Sequence, residues 1–131
     1  MYQLDYKNNA PLFEQIIKKI KEYVVRGLLV PGDKIPSIRE YAGLVGINPN
    51  TVSKAYQELE RQQVIVTMKG KGAFIAEHSL NTVITIDEVA EKKRLENTLI
   101  DFIYSGIQVE TMHQWIDDIY TKLKGANDNA N

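Results

Sequence analysis

Ser37-Ile38-Arg39-Glu40-Tyr41-Ala42-Gly43-Leu44-Val45-Gly46-Ile47-Asn48-Pro49-Asn50-Thr51-Val52-Ser53-Lys54-Ala55-Tyr56-Gln57-Glu58-Leu59 is the stretch whose reading decides the fold. Ser37 suits a helix N-cap, and Glu40 three residues on completes a capping box. The helix it opens, about 38 to 44, carries Ile38, Ala42 and Val45 on its apolar side. Gly46 breaks it. Asn48-Pro49 then reads as N-cap plus first helical position. A further helix follows at about 49 to 62, with Val52, Ala55, Tyr56 and Leu59 inward and Asn50, Thr51, Ser53, Lys54 and Gln57 outward. Two helices joined by three or four residues around a glycine make a helix-turn-helix.

Upstream, Pro11 suits a first helical turn, and Phe13, Ile16, Ile17, Ile20, Val24 and Leu28 recur at helical spacing. Gly27 can end that helix with a positive φ, and Lys18, Lys19, Lys21 and Glu22 fill its wet face. Val30-Pro31-Gly32-Asp33 is a turn signature, and Lys34-Ile35-Pro36 is a short extended piece. Downstream, Val64 to Met68 reads as a strand, Lys69-Gly70-Lys71-Gly72 turns the chain, and Ala73 to Ala76 returns. The order helix, helix-turn-helix, basic-tipped hairpin is that of a winged helix-turn-helix.

Residues 77 to 84 read as a linker. Thr85 and Glu88 form a second capping box, opening a helix at about 86 to 104 with Val89, Leu95, Leu99, Phe102 and Ile103 on one side. Ser105-Gly106 ends it. A last helix, about 109 to 124, places Val109, Met112, Ile116, Ile119 and Leu123 on one stripe, widened by Trp115 and Tyr120. The small polar tail 125–131 is expected to be disordered. The fold class is therefore mainly α with a small β-hairpin (α+β). A winged helix-turn-helix domain (1–78) precedes a two-helix region (79–124).

Composition narrows the function. The chain has 131 residues, a formal net charge of -1 and no cysteine. Disulfide scaffolds, thiolate zinc sites and cysteine nucleophiles are excluded. No apolar run approaches the roughly 20 residues of a membrane helix, and no signal peptide is visible, so the expected location is cytoplasmic. His78 and His113 are far apart, with no paired ligand spacing, so no metal or cofactor is expected. No nucleophile, base and acid fall into a recognisable catalytic pattern. The near-neutral total conceals a split. Residues 1–78 hold 11 basic and 8 acidic groups, and residues 79–131 hold 5 and 9.

The run Gly27 to Glu40 resembles the start of a GntR-type DNA-binding domain. So do Gly46-Ile47-Asn48-Pro49-Asn50-Thr51-Val52, Ala55-Tyr56, Leu59-Glu60 and Lys69-Gly70-Lys71-Gly72-Ala73-Phe74-Ile75. The resemblance covers about residues 10 to 76 in order and spacing, and Asn-Pro-Asn-Thr-Val with only two further helices resembles the YtrA-like subgroup. It implies that Arg39 contacts DNA, that Asn48, Asn50, Thr51 and Ser53 lie where the recognition helix meets phosphates and base edges, and that Lys69 and Gly70 form a wing tip entering the minor groove. It also implies a dimer that regulates a nearby operon, often one encoding a transporter. Pro49 and Ser53 stand where other subgroups carry arginines, so those base contacts are not carried over. Gln63 stands where glycine is usual, which predicts a local change of turn.

Physical chemistry supports these roles beside plainer ones. Outward side chains near a recognition helix's N-terminus reach base edges and phosphates, and asparagine can pair bidentately with adenine. Asn48 serves equally as an N-cap, and Ser53 and Lys54 equally as a solvated face. Small residues at Lys69-Gly70-Lys71-Gly72 let backbone approach the sugar-phosphate rail, while cations suit the minor-groove potential. The C-terminal stripes, with Leu95, Leu99, Phe102, Met112, Trp115, Ile116, Ile119 and Leu123, cannot all be satisfied by a short hairpin; a homodimer is the simplest solution. The expectation is a dimeric, sequence-specific repressor on a double-stranded palindromic operator. Two alternatives stay open: a ligand-sensing regulator with an effector pocket at the dimer interface, and a winged-helix protein-interaction module without DNA.

Overall fold

The computed structural model describes residues 1–77 and 87–129. Most of the expected linker, His78, and Thr85 of the second capping box lie outside the described residues. Five helices form: α1 (Leu12–Val25), α2 (Ile38–Val45), α3 (Pro49–Arg61), α4 (Glu88–Tyr104) and α5 (Val109–Asn129). Three short strands, β1 (Lys34–Ile35), β2 (Ile65–Met68) and β3 (Gly72–Ile75), make an antiparallel sheet in the order β1-β3-β2.

The hairpin expected between 64 and 76 is β2–β3, with Ile65 opposite Ile75 and Met68 opposite Gly72. The short extended piece at Lys34-Ile35 becomes the third strand, a pairing that local pattern did not announce. Lys34 and Ile35 pair with Phe74 and Ala73. The turn before them, Val30 to Asp33, is closed by the Asp33 carboxylate, which accepts the Val30 N–H at 2.9 Å.

The amphipathic faces of α1, α2 and α3 and one face of the sheet find the same core. Ile16, Ile20, Tyr23 and Val24 of α1 meet Tyr41 and Ala42 of α2, Val52, Ala55, Tyr56 and Leu59 of α3, and Ile35, Ala73 and Ile75 of the sheet. Fully burying an Ile or Leu contributes about 1.5–3 kcal/mol each. Tyr41, absent from the expected apolar side of α2, is fully buried there. Its spacing from Ile38 and Val45 marks it as inward in hindsight, and its hydroxyl donates to the Tyr2 carbonyl at 3.2 Å. Burial raises the Tyr41 and Tyr56 phenol pKa values well above the usual range.

Residues 1–11 pack as an arm. Leu4 is buried, and the Tyr2 ring meets Tyr41 and Tyr23 edge-on at 5.2 and 6.0 Å. Gln15 of α1 accepts the Asp5 N–H at 2.9 Å and donates to the Asp5 and Ala10 carbonyls.

Helix ends follow the cap chemistry with three differences. Pro11 is the N-cap of α1 rather than its first residue. Asp87 caps α4 by accepting the Ala90 N–H at 3.1 Å, and the helix begins at Glu88. Asp ranks among the best N-cap residues. The α5 helix runs to Asn129, so residues 125–129 are helical and not a disordered tail. Gly125 costs a helix about 0.5–1 kcal/mol, but a formed helix propagates by one bond per residue.

Gln63 keeps the turn it was expected to change. Its N–H donates to the Glu60 carbonyl and the Val64 N–H to the Leu59 carbonyl, both at 2.9 Å. This double bond pattern is a Schellman motif, which needs a left-handed residue, and Gln63 supplies it at φ 62°. The equivalent position after α4 is Gly106.

Candidate nucleic-acid interface

The helix-turn-helix is set by two local devices. The Ser37 Oγ accepts the Glu40 N–H at 3.1 Å, and the Glu40 carboxylate accepts the Ser37 N–H at 3.2 Å. These bonds hold the Glu40 carboxyl below its ordinary pKa. At the turn, Gly46 takes φ 71°, and the Gly46 and Ile47 N–H groups both donate to the Ala42 carbonyl. The chain then enters α3 through Asn48, whose Oδ1 accepts the Asn50 N–H at 2.8 Å. Asn48 is therefore an N-cap, and its exposure leaves its amide N–H2 free to face outward as well.

Burial of Val52, Ala55, Tyr56 and Leu59 fixes the rotation of α3. Asn50 and Lys54 are consequently exposed, and Thr51 and Ser53 half-exposed, along one side. The Tyr56 hydroxyl donates to the Pro36 carbonyl, tying α3 to the segment that launches α2. No acidic residue lies in the first turn of α3. The free N–H groups and positive dipole of that end are not offset by a carboxylate in that turn.

Arg39 stands out from the other arginines. Arg26, Arg61 and Arg94 each pair with a glutamate three or four residues earlier in their helix, Glu22, Glu58 and Glu91. Arg39 has Pro36 and Ile35 at those positions, is exposed, and makes no ion pair among the described residues. Glu40 beside it is occupied by the cap. Its guanidinium is thus available for a bidentate acceptor such as guanine or phosphate.

The wing is the β2–β3 turn. The Lys71 N–H donates to the Met68 carbonyl at 2.9 Å, and Gly70 takes φ 80°, which a side chain would strain. Lys69, Gly70 and Lys71 are all exposed. The Thr67 hydroxyl donates to the Glu60 carboxylate at 3.0 Å, fastening the wing to the far end of α3. A Cβ built on Gly72 would lie 3.2 Å from the Lys34 Cε, so β1 adds a third lysine to the base of the wing. Sequence reading missed Lys34 because only the β1–β3 pairing brings it there. Lys18 and Lys19, by contrast, line an open groove with Glu14 and Glu22, a mixed-charge solvated face.

The expected dimerisation residues divide. Leu95, Trp115, Ile116 and Ile119 are exposed, and Leu99, Phe102 and Leu123 are half-buried. Met112, at 7 % exposure, is buried within the single chain and is unavailable to a partner. Helix α5 also touches α1. Phe102 and Trp115 meet edge-to-face at 5.7 Å, joining α4 to α5 near their turn. Among the described residues, no group of three or more histidine, aspartate or glutamate side chains could hold a metal, and no helix is long and apolar enough to cross a membrane.

Known proteins share this arrangement. Residues 12–75, from α1 to the end of β3, match the family described as bacterial regulatory proteins, gntR family. The chain is 42 % identical over 129 residues to the HTH-type transcriptional repressor YtrA of Bacillus subtilis (strain 168), covering 98 % of this chain and 99 % of that protein. A crystal structure of a transcriptional antiterminator from Listeria monocytogenes EGD-e superposes with a TM-score of 0.86 at 46 % identity, covering 95 % and 92 % of the two chains. The AraR DNA-binding domain in complex with operator ORR3 matches with a TM-score of 0.50 at 27 % identity, over 56 % of this chain and 88 % of that one. These relatives are regulators of transcription rather than enzymes. A winged helix-turn-helix with these motifs and near full-length similarity to such a repressor leaves one conclusion: the chain belongs to the GntR family of bacterial regulatory proteins and carries that family's DNA-binding domain.

Proposed function

We propose that this protein is a cytoplasmic repressor that binds a palindromic operator as a homodimer, with residues 1–78 reading DNA and residues 79–124 holding the two copies together. The observation that carries the DNA assignment is Arg39, the arginine without a carboxylate among the described residues, beside the uncompensated N-terminus of α3. In this reading Arg39, Asn48, Asn50, Thr51, Ser53 and Lys54 face the major groove and its phosphates, and Lys69, Gly70 and Lys71 the minor groove. Each subunit occupies a half-site, and the pair excludes polymerase from the promoter. Exposed Leu95, Ile116 and Ile119 support the dimer, because an aqueous monomer leaves that stripe uncovered. YtrA-like resemblance extends the proposal to control of a transporter operon.

Selection of bound duplexes from random DNA tests the proposal. A palindrome with half-sites about one helical turn or more apart is the expected result. Enrichment of no sequence would sink the DNA reading, and a lone half-site would sink the dimer.

A further inference from the structure

We propose that Phe13 belongs to the operator-binding surface, where its ring positions the Lys54 ammonium for a DNA phosphate. The inference rests on the DNA-binding reading above. Lys54 lies four residues after Asn50, hence on the same face of α3, and is exposed. Its Nζ stands 4.0 Å from the centroid of the Phe13 ring. Phe13 comes from another helix, in the first turn of α1. It is half-buried and packed against the core, so the ring is itself held.

The choice of partner matters. A ring attracts a cation through its quadrupole and carries no net charge. A carboxylate in the same place would hold the lysine and cancel its field. Among the described residues Lys54 makes no ion pair, whereas Lys93 lies 3.9 Å from Glu96. Phe13 therefore restrains one side of the ammonium and leaves its charge and its outer N–H donors for an anion. A lysine meeting phosphate from free solution loses rotamer freedom at that moment. Here part of that loss falls at folding, and DNA meets a cation already placed.

The test uses the full-length protein and a duplex it selects from random DNA, with affinity measured at several salt concentrations. Phe13→Leu should weaken binding about two- to fivefold, part of the cost of ordering one long side chain at an interface. Phe13→Met, equally ringless but more adaptable, should do the same if the leucine variant folds poorly. Phe13→Tyr keeps a ring and should bind as the parent does. Lys54→Met should weaken binding and reduce the salt slope by about 0.9 for each phosphate it no longer neutralises. In the Lys54→Met background, Phe13→Leu should have no further effect. Equal effects in both backgrounds would make Phe13 a packing residue and overturn the inference, as would an unchanged salt slope in Lys54→Met. If the parent protein enriches no duplex at all, the DNA-binding reading has failed first and takes this one with it.

Discussion

Helices α3 and α4 use their apolar residues in opposite ways. The 13-residue α3 buries Val52, Ala55, Tyr56 and Leu59 inside its own chain. The 17-residue α4 buries nothing, and leaves Val89 82 % and Tyr104 94 % exposed. Among its described side chains, helix α5 buries Met112 alone. An amphipathic stripe thus states that a helix has a partner, but not whether that partner lies in the same chain. In α3 it is α1, α2 and the sheet. For α4 and α5 a second copy is the proposed answer.

That contrast can be broken most decisively in the core. Leu59→Ala should cost about 2–5 kcal/mol of unfolding free energy at any protein concentration, because it empties a filled site. Ile119→Ala or Leu95→Ala should cost roughly 1.5–3 kcal/mol of association if a second copy buries these side chains. Sedimentation or light scattering against concentration would detect it. A parent protein that stays monomeric at micromolar concentration would remove the distinction.

Arg39→Ala separates binding from folding. It should lose about 1–3 kcal/mol of operator affinity if the contact is to a base, with the melting temperature unchanged. Intact affinity would strip Arg39 of its role. Gln63→Gly acts the other way, on folding alone. Relief of a left-handed side chain, less the extra entropy of an unfolded glycine, should stabilise the domain by about 0.5–1 kcal/mol in urea titrations.

The smallest effect is the pH dependence at the end of α3. Hydrogen bonds from Arg61 and Gln62 hold the Glu58 carboxyl down at about 2, below its ordinary 4.5. A depressed carboxylate stabilises the fold above its unfolded pKa, and that contribution fades as pH falls from about 4.5 towards 2. Glu58→Gln should flatten the acid limb of the stability curve over that interval. Arg61 is exposed and Glu58 only half-buried, so solvent screening should keep the change slight.

Much of the interface is legible in the sequence. The Ser37–Glu40 box, the Gly46 break, the Asn48 cap and the wing turn at Gly70 all rest on residues within four positions of one another. The same local reach explains the misses. Asp87 and Thr85 are both good caps, and spacing alone does not choose between them. Met112 fits the exposed stripe by periodicity, yet it is buried within the chain, and periodicity alone does not say which members of a stripe the same chain covers. Gln63 reads as a changed turn because the left-handed preference of glycine is local, while the bonds that force φ 62° there come from the helix before it.

By itself, the sequence determined the five helices, the caps of α2 and α3, the inward face of α3, and the order of helix, helix-turn-helix and wing. These depend on backbone preferences and on hydrogen bonds spanning three or four residues. Only the tertiary structure decided that Lys34 and Ile35 join the sheet, that the arm packs Tyr2 against Tyr41, and that Lys54 rests on Phe13. Those contacts join residues roughly 40 apart, and no local periodicity carries such pairings; they follow once the faces of α1, α2, α3 and the sheet close around one core.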